Sequence, residues 1–238
     1  MSEASQTPEP VGPGDSGEAT LPEALMLLLF NPRNGTIAGE GLNLMYALGG
    51  AMITELAMHG HIELDQAKRK ARRVGDGPAS SLLRGAWSRV PEQTTGIRSL
   101  VIDIGKRSRE TTLDRLIERG DINKEARRFL GFIPTHALVA GATGTRDRLL
   151  APVRAALVDG VEPDSRTAAL IALLSASNNL PAMHADIPWS GEIHTRGKKF
   201  ERGDWGAKAA SDLILSSLVA QLASTAFATT VSALGRPD

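Results

Sequence analysis

The chain has 238 residues, 42% of them hydrophobic, enough to bury a substantial core in one large domain or two small ones. Lysine plus arginine equals aspartate plus glutamate at 27 each, so no bulk charge draws the whole molecule to nucleic acid or an anionic surface, and any electrostatic function must be local. Cysteine is absent, which excludes disulfides and thiolate chemistry and fits a reducing cytoplasm.

The first twenty residues carry Glu3, Glu9, Asp15 and Glu18 with no lysine or arginine, and are rich in Pro, Gly and Ser. They lack the basic and apolar regions of a secretory signal and bury too little to order themselves. A disordered acidic tail is expected over 1–20, and one folded domain over 21–238. The first helix has a readable start: Thr20 and Glu23 have capping-box spacing, Pro22 lies in the first turn, and Leu25, Leu28 and Leu29 share a face. A turn at residues 31–35 (NPRNG) ends it.

A second helix is predicted from about Leu42 to Met58, with Leu44, Leu48, Met52 and Leu56 four residues apart. Gly60 then sits where a left-handed cap belongs, and HIEL reads as a short strand. The same punctuation returns at Leu116, Gly120 and Ile122, so two helix-to-strand corners are expected. His59 and His61 flank the first corner, but no third ligand of suitable spacing follows, and a surface pair is the simpler reading. After that corner comes QAKRKARR (66–73), which is either a solvated charged face or a strip attracted to phosphates of nucleic acid or lipid. A helix follows with Leu82, Leu83, Ala86, Trp87 and Val90 on one side.

The stretch IGKRSRETTLDRLIERGDI (104–122) interrupts an apolar stripe: Ile97, Leu100, Val101 and Ile104 form one face, Leu113, Leu116 and Ile117 resume it, and 105–112 contributes no apolar side chain. Lys106 and Arg109 are three apart, so a helix projects them side by side, with Arg107 between. The small residues Gly105, Ser108, Thr111 and Thr112 nearby predict room for an anion, and a forked arginine beside a lysine suits a phosphate head. The competing reading is a surface helix with pairs such as Arg115 to Glu118 and Arg109 to Glu110 or Asp114.

A hairpin is predicted next, with Arg127 and Arg128 ahead of Phe129, Leu130, Phe132 and Ile133, crowded around Gly131. Core packing accounts for such a cluster; so does an apolar tip facing a bilayer or a partner subunit. ALVAGATGTRD (137–147) imitates a dinucleotide-binding turn, but Arg146 stands near the third glycine's place and the surrounding chain is helical. Leu149, Leu150, Val153 and Leu157 predict a helix, as do Ala168, Ile171 and Leu174 after an Asp164 cap. Residues 178–204, rich in Pro and Gly, read as a long loop. The uncharged run at 213–234 has the length of a membrane span, but its hydroxyls and Gln221 favour a buried helix. No nucleophile elbow or metal set is present, so no enzymatic step, cofactor or metal is expected.

The Leu-rich first helix, LGGAMITELAMHGHIEL, DGPASSLLRGAW, KRSRETTLDRLIERGDI, the FLGF hairpin and SRTAALIALLSASNNL occur in an order and spacing that resembles the Golgi phosphoprotein 3 family over roughly 21–234. The resemblance implies a mostly α fold, a single globular helical domain with short β-hairpins. It implies a non-enzymatic adaptor docking reversibly at the cytoplasmic face of a membrane. Eukaryotic members bind phosphatidylinositol 4-phosphate and retain glycosyltransferases, so the implied partners are an anionic phospholipid and a client membrane protein. By the same resemblance Lys106 and Arg109 fall on the family's two phosphate-gripping positions, and 124–136 falls on a hairpin that makes homo-oligomer contacts. Glu40 stands where the family has a membrane-inserting Trp, and Gly49 where it has another phosphate-binding Arg. A nucleic-acid-binding regulator with winged-helix-like corners is the alternative reading, disfavoured by the balanced charge.

Overall fold

A helix apolar on every side must be enclosed on every side, and Leu21–Leu29 (α1) is such a helix: all of its residues are buried. The computed structural model describes residues 17–65, 67–129, 133–203 and, in the C-terminal run, 219, 220, 222 and 224. The start of α1 is fixed by two carboxylates. Glu23 accepts the backbone N–H and the hydroxyl of Thr20 at 2.7 and 2.6 Å. Glu55, itself buried, accepts the N–H of Leu21 at 2.8 Å and is paired with Arg166 at 3.2 Å. Arg166 also donates to the carbonyl of Ala19, so contacts with the core begin ahead of α1.

A short hairpin, β1 (Phe30–Asn31) with β2 (Thr36–Ile37), follows α1 and leads to α2 (Leu42–Met58). The first predicted corner is present: Gly60 has φ +69°, and β3 (Ile62–Asp65) pairs antiparallel with β4 (Lys70–Arg73). Then come α3 (Ser81–Trp87), β5 (Thr95–Gly96), which adds to β4, and the long α4 (Ile97–Glu118). The second corner repeats the first, with Gly120 at φ +73°, and opens the hairpin β6 (Ile122–Phe129) and β7 (Ile133–Ala140). Helix α5 (Thr145–Arg154) runs into a π-helical turn at Ala155–Asp159; α6 (Ser165–Ala176) starts at Asp164, whose carboxylate accepts the N–H of Thr167 at 2.7 Å. Apolar side chains gather in two clusters: α1 with α6 and the start of α2, and the end of α2 with α3 and the first half of α4.

One expectation needs correction. The segment 178–204 is not a loop, since it contains a 3-10 turn at Leu180–Met183 and the helix α7 (Gly191–Glu201). Ser190 caps α7 by accepting the N–H of Ile193 at 3.3 Å, and Glu192 at the start with Lys198 and Lys199 at the end oppose the helix dipole. Gly197 is no breaker: an added Cβ would stand 2.7 Å from the Ser175 hydroxyl, so the glycine permits close contact with α6. Helix α4 continues through 105–112, so the expected helical placement of Lys106 and Arg109 three residues apart is present. The run 213–234 lies mainly outside the described residues; Val219 and Leu222 within it are helical and buried. Among the described residues no helix is long and apolar enough to cross a membrane.

Candidate functional site

The inward face of α4 explains its missing apolar side chains. A Cβ built on Gly105 would lie 2.2 Å from the carbonyl oxygen of Met45, and one built on Gly49 would lie 2.2 Å from that of Val101. The two glycines let the backbones of α2 and α4 touch, as no larger residue permits. Ser108 and Thr112 are buried on the same face, the Ser108 hydroxyl donating to the Ile104 carbonyl at 2.8 Å. The small residues expected to admit an anion therefore mostly serve helix packing, and only Thr111 is exposed. Gly49 is enclosed by the same contact, so a side chain at that position has no path to the surface.

The outward face carries the predicted cations, and the structure separates them. Arg109 forms a fork with Glu40: its Nε donates to both carboxylate oxygens at 3.1 Å and its Nη2 to Oε1 at 2.5 Å. Both side chains are about half exposed. This is a two-point, charge-assisted contact of the kind an arginine makes with a phosphate or carboxylate ligand. The anticipated pairing of Arg109 with Glu110 or Asp114 does not occur, and Asp114 faces Lys124 at 3.7 Å. Arg115 does pair with Glu118, at 3.1 Å. Lys106 is exposed, and no carboxylate pairs with it among the described residues.

Arg107 is exposed as well but lines a different feature, a groove of about 380 Å³ between α3 and α4. Arg89, Thr111 and Asp114 share its rim, above a floor that includes Met52, Leu82 and Ile104. Neither Lys106 nor Arg109 lines it. The predicted trio thus divides into a free lysine, an arginine closed by an internal carboxylate and an arginine on a neighbouring groove.

In the turn that precedes α2, sequence reasoning reached Glu40 through the family resemblance alone and passed over Leu42. Glu40 is flanked by Gly39 at φ +73° and Gly41 at φ +90°, and two residues later Leu42 is 63% exposed, the most exposed large apolar side chain among the described residues. The signal was present: Leu42 lies off the stripe of Leu44, Leu48, Met52 and Leu56, which faces the core. The link from Glu40 to Arg109 spans 69 positions, and no local pattern announces it.

The other candidates are occupied or remote. In the basic run, Lys68 pairs with Asp65 at 3.3 Å, Arg72 with Glu63 at 2.5 Å and Arg73 with Glu92 at 2.6 Å, and the Arg73 guanidinium lies 5.0 Å from the centre of the Trp87 ring. His59 and His61 stand with ring centres 6.4 Å apart, and burial together with the neighbouring His59 holds His61 below its ordinary pKa. Among the described residues no group of three His, Asp or Glu side chains is placed to hold a metal. The dinucleotide-like turn follows an antiparallel strand, β7, and Arg146 donates to the Phe30 carbonyl at 3.0 Å and to Asp186 at 2.5 Å, so it serves packing. At the second corner burial would raise the pKa of Asp121, but hydrogen bonds from Thr143 and Thr145 and the Arg119 guanidinium outweigh it and hold the group below the ordinary carboxylate range. In the hairpin, the strand backbones pair Arg127 with Thr135, Arg128 with Pro134 and Phe129 with Ile133; Leu130 and Phe132 lie outside the described residues.

Comparison with known proteins gives one family. The family model described as Golgi phosphoprotein 3 (GPP34) matches residues 21–216, most of the chain. No curated protein matches it.

Proposed function

The chain belongs to the Golgi phosphoprotein 3 family, and on that premise we propose that it is a non-enzymatic peripheral membrane adaptor whose site for an anionic lipid head group is centred on Lys106. The observation that carries this reading is an exposed, unpaired lysine on the same rigid helix as Arg109, which is itself linked through Glu40 to the turn bearing the exposed Leu42. A cation near a charged leaflet contributes on the order of 1 kcal/mol, and a single apolar side chain adds a contribution of similar size. Two such weak signals give reversible attachment where each alone is marginal. Arg107, one residue away, is exposed on the neighbouring groove between α3 and α4.

In this reading the domain over 21–238 docks reversibly at the cytoplasmic face of a membrane. The hairpin over 124–136, with Arg127, Arg128, Phe129, Leu130, Phe132 and Ile133, supplies the surface for a second copy of the chain. A client membrane protein completes the adaptor role. Nucleic acid is not a partner here, because three cations of the basic run are engaged by carboxylates of their own sheet and its flanks.

Vesicle flotation tests the lipid step. Binding is expected to rise with the anionic fraction of phosphatidylcholine vesicles and to fall on the order of tenfold with Lys106→Glu, a charge reversal near the surface. Leu42→Asp is expected to weaken binding by a smaller factor. Equal recovery on neutral and anionic vesicles, unaltered by Lys106→Glu, defeats the proposal.

A further inference from the structure

We propose that Glu40 sets the charge class of the lipid, so that the site takes a singly charged phosphodiester head group and discriminates against phosphomonoesters. This inference rests on the lipid-binding reading above and names the head-group class for the same site.

The argument starts from the fork. With Arg109 held at three donor–acceptor distances by one carboxylate, its planar face of donors is already filled by an internal oxyanion. An incoming phosphate must displace that carboxylate or bind beside it. With Arg107 lining the separate α3–α4 groove, Lys106 and Arg109 carry two positive charges and Glu40 one negative, which leaves one net positive charge for the ligand. A phosphodiester carries one negative charge and matches it. A phosphomonoester carries about −1.5 to −2 at neutral pH and meets the unbalanced repulsion of the Glu40 carboxylate at close range.

Glu40 is also held where it is rather than brushing Arg109 by chance. The turn is anchored at Gly39, where an added Cβ would stand 2.0 Å from Oδ1 of Asn179, a buried residue whose amide donates to Ser177 at 2.9 Å. On the other side Gly41 adopts φ +90° with nothing within 4 Å of an added Cβ. One flank is fixed and the other open, so the carboxylate has a set position beside Arg109 while the side facing solvent stays clear for a head group.

The test uses the full chain and phosphatidylcholine vesicles containing either phosphatidylglycerol, a diester, or phosphatidic acid, a monoester, at matched surface charge. The wild-type chain is expected to bind the diester vesicles at least as well as the monoester vesicles. Glu40→Gln keeps a hydrogen-bonding side chain but removes the charge, and is expected to raise monoester binding relative to diester binding on the order of tenfold, the factor that accompanies one charge-assisted hydrogen bond. In the double variant Glu40→Gln with Arg109→Gln that gain is expected to vanish, since the freed guanidinium is its source. A wild-type preference for phosphatidic acid of several-fold, or a Glu40→Gln variant that moves both lipids alike, overturns the inference while leaving anionic binding intact. Binding of neither variant nor wild type above neutral vesicles overturns instead the lipid reading beneath it.

Discussion

Two stretches of this chain are rich in cations, five in 68–73 and three in 106–109, and they end in different electrostatic states. On the β3–β4 hairpin, Lys68 and Arg72 find carboxylates on β3, and Arg73 finds one in a nearby loop. Within 106–109 of α4, Arg109 is closed by a carboxylate brought from a distant turn, while Lys106 and Arg107 are exposed and form no ion pair among the described residues. The difference teaches that a run of basic residues acquires meaning from what supports it. On the hairpin the register sets Glu63 directly opposite Arg72, and the tight turn brings Lys68 back onto Asp65. A helix pressed backbone to backbone against its neighbour turns its charges away from the core, where partners must come from elsewhere.

The contrast is broken most severely by removing the support. Gly105→Val drives methyl groups into the Met45 carbonyl, and a loss of about 3 kcal/mol, the upper range for overpacking, is expected in urea unfolding. Retention of wild-type stability shows that the α2–α4 contact does not hold α4 in place. A smaller effect sharpens the contrast: Lys68→Glu with Arg72→Glu removes exposed ion pairs, each contributing roughly 0–1 kcal/mol, and is expected to leave flotation on anionic vesicles within about twofold of wild type. If that variant loses binding as Lys106→Glu does, the two runs act together and the division between them fails. The smallest effect is at the hairpin tip, where Arg69 has φ +52°, a conformation unfavourable for a side chain with a Cβ. Arg69→Gly relieves it against a greater unfolded-state entropy, and a net change of under about 1 kcal/mol in either direction is expected, with vesicle binding unaltered.

Much of the scaffold was legible because its signals are local. Thr20 and Asp164 mark helix starts, and Gly60 and Gly120 mark two corners with one hydrogen-bond scheme: His61 donates to the Leu56 carbonyl and Asp121 to that of Leu116, each at 2.9 Å. The bounds of α2 followed from its stripe. Helix α7 was not legible, because Gly191 and Gly197 read as breakers unless their neighbours in space are known. The apparent gap in α4 misled for a related reason, since a glycine meeting another backbone buries surface without any apolar side chain. At the site, the exposure of Lys106 and Arg107 could be read from the sequence. The condition of Arg109 could not, for it depends on a carboxylate that only the tertiary fold delivers.

The glycine-flanked turn that delivers this carboxylate meets the interior at Ala38 and Gly39 and the start of α2, while the Glu40 side chain itself is half exposed. Preference among ligands and the ability to fold are thereby inherited separately. On the proposed reading, a lineage that exchanges residue 40 for a neutral or apolar one is expected to change its head-group preference while keeping the same architecture. On that reading, a single codon carries the change while the underlying framework is passed on intact.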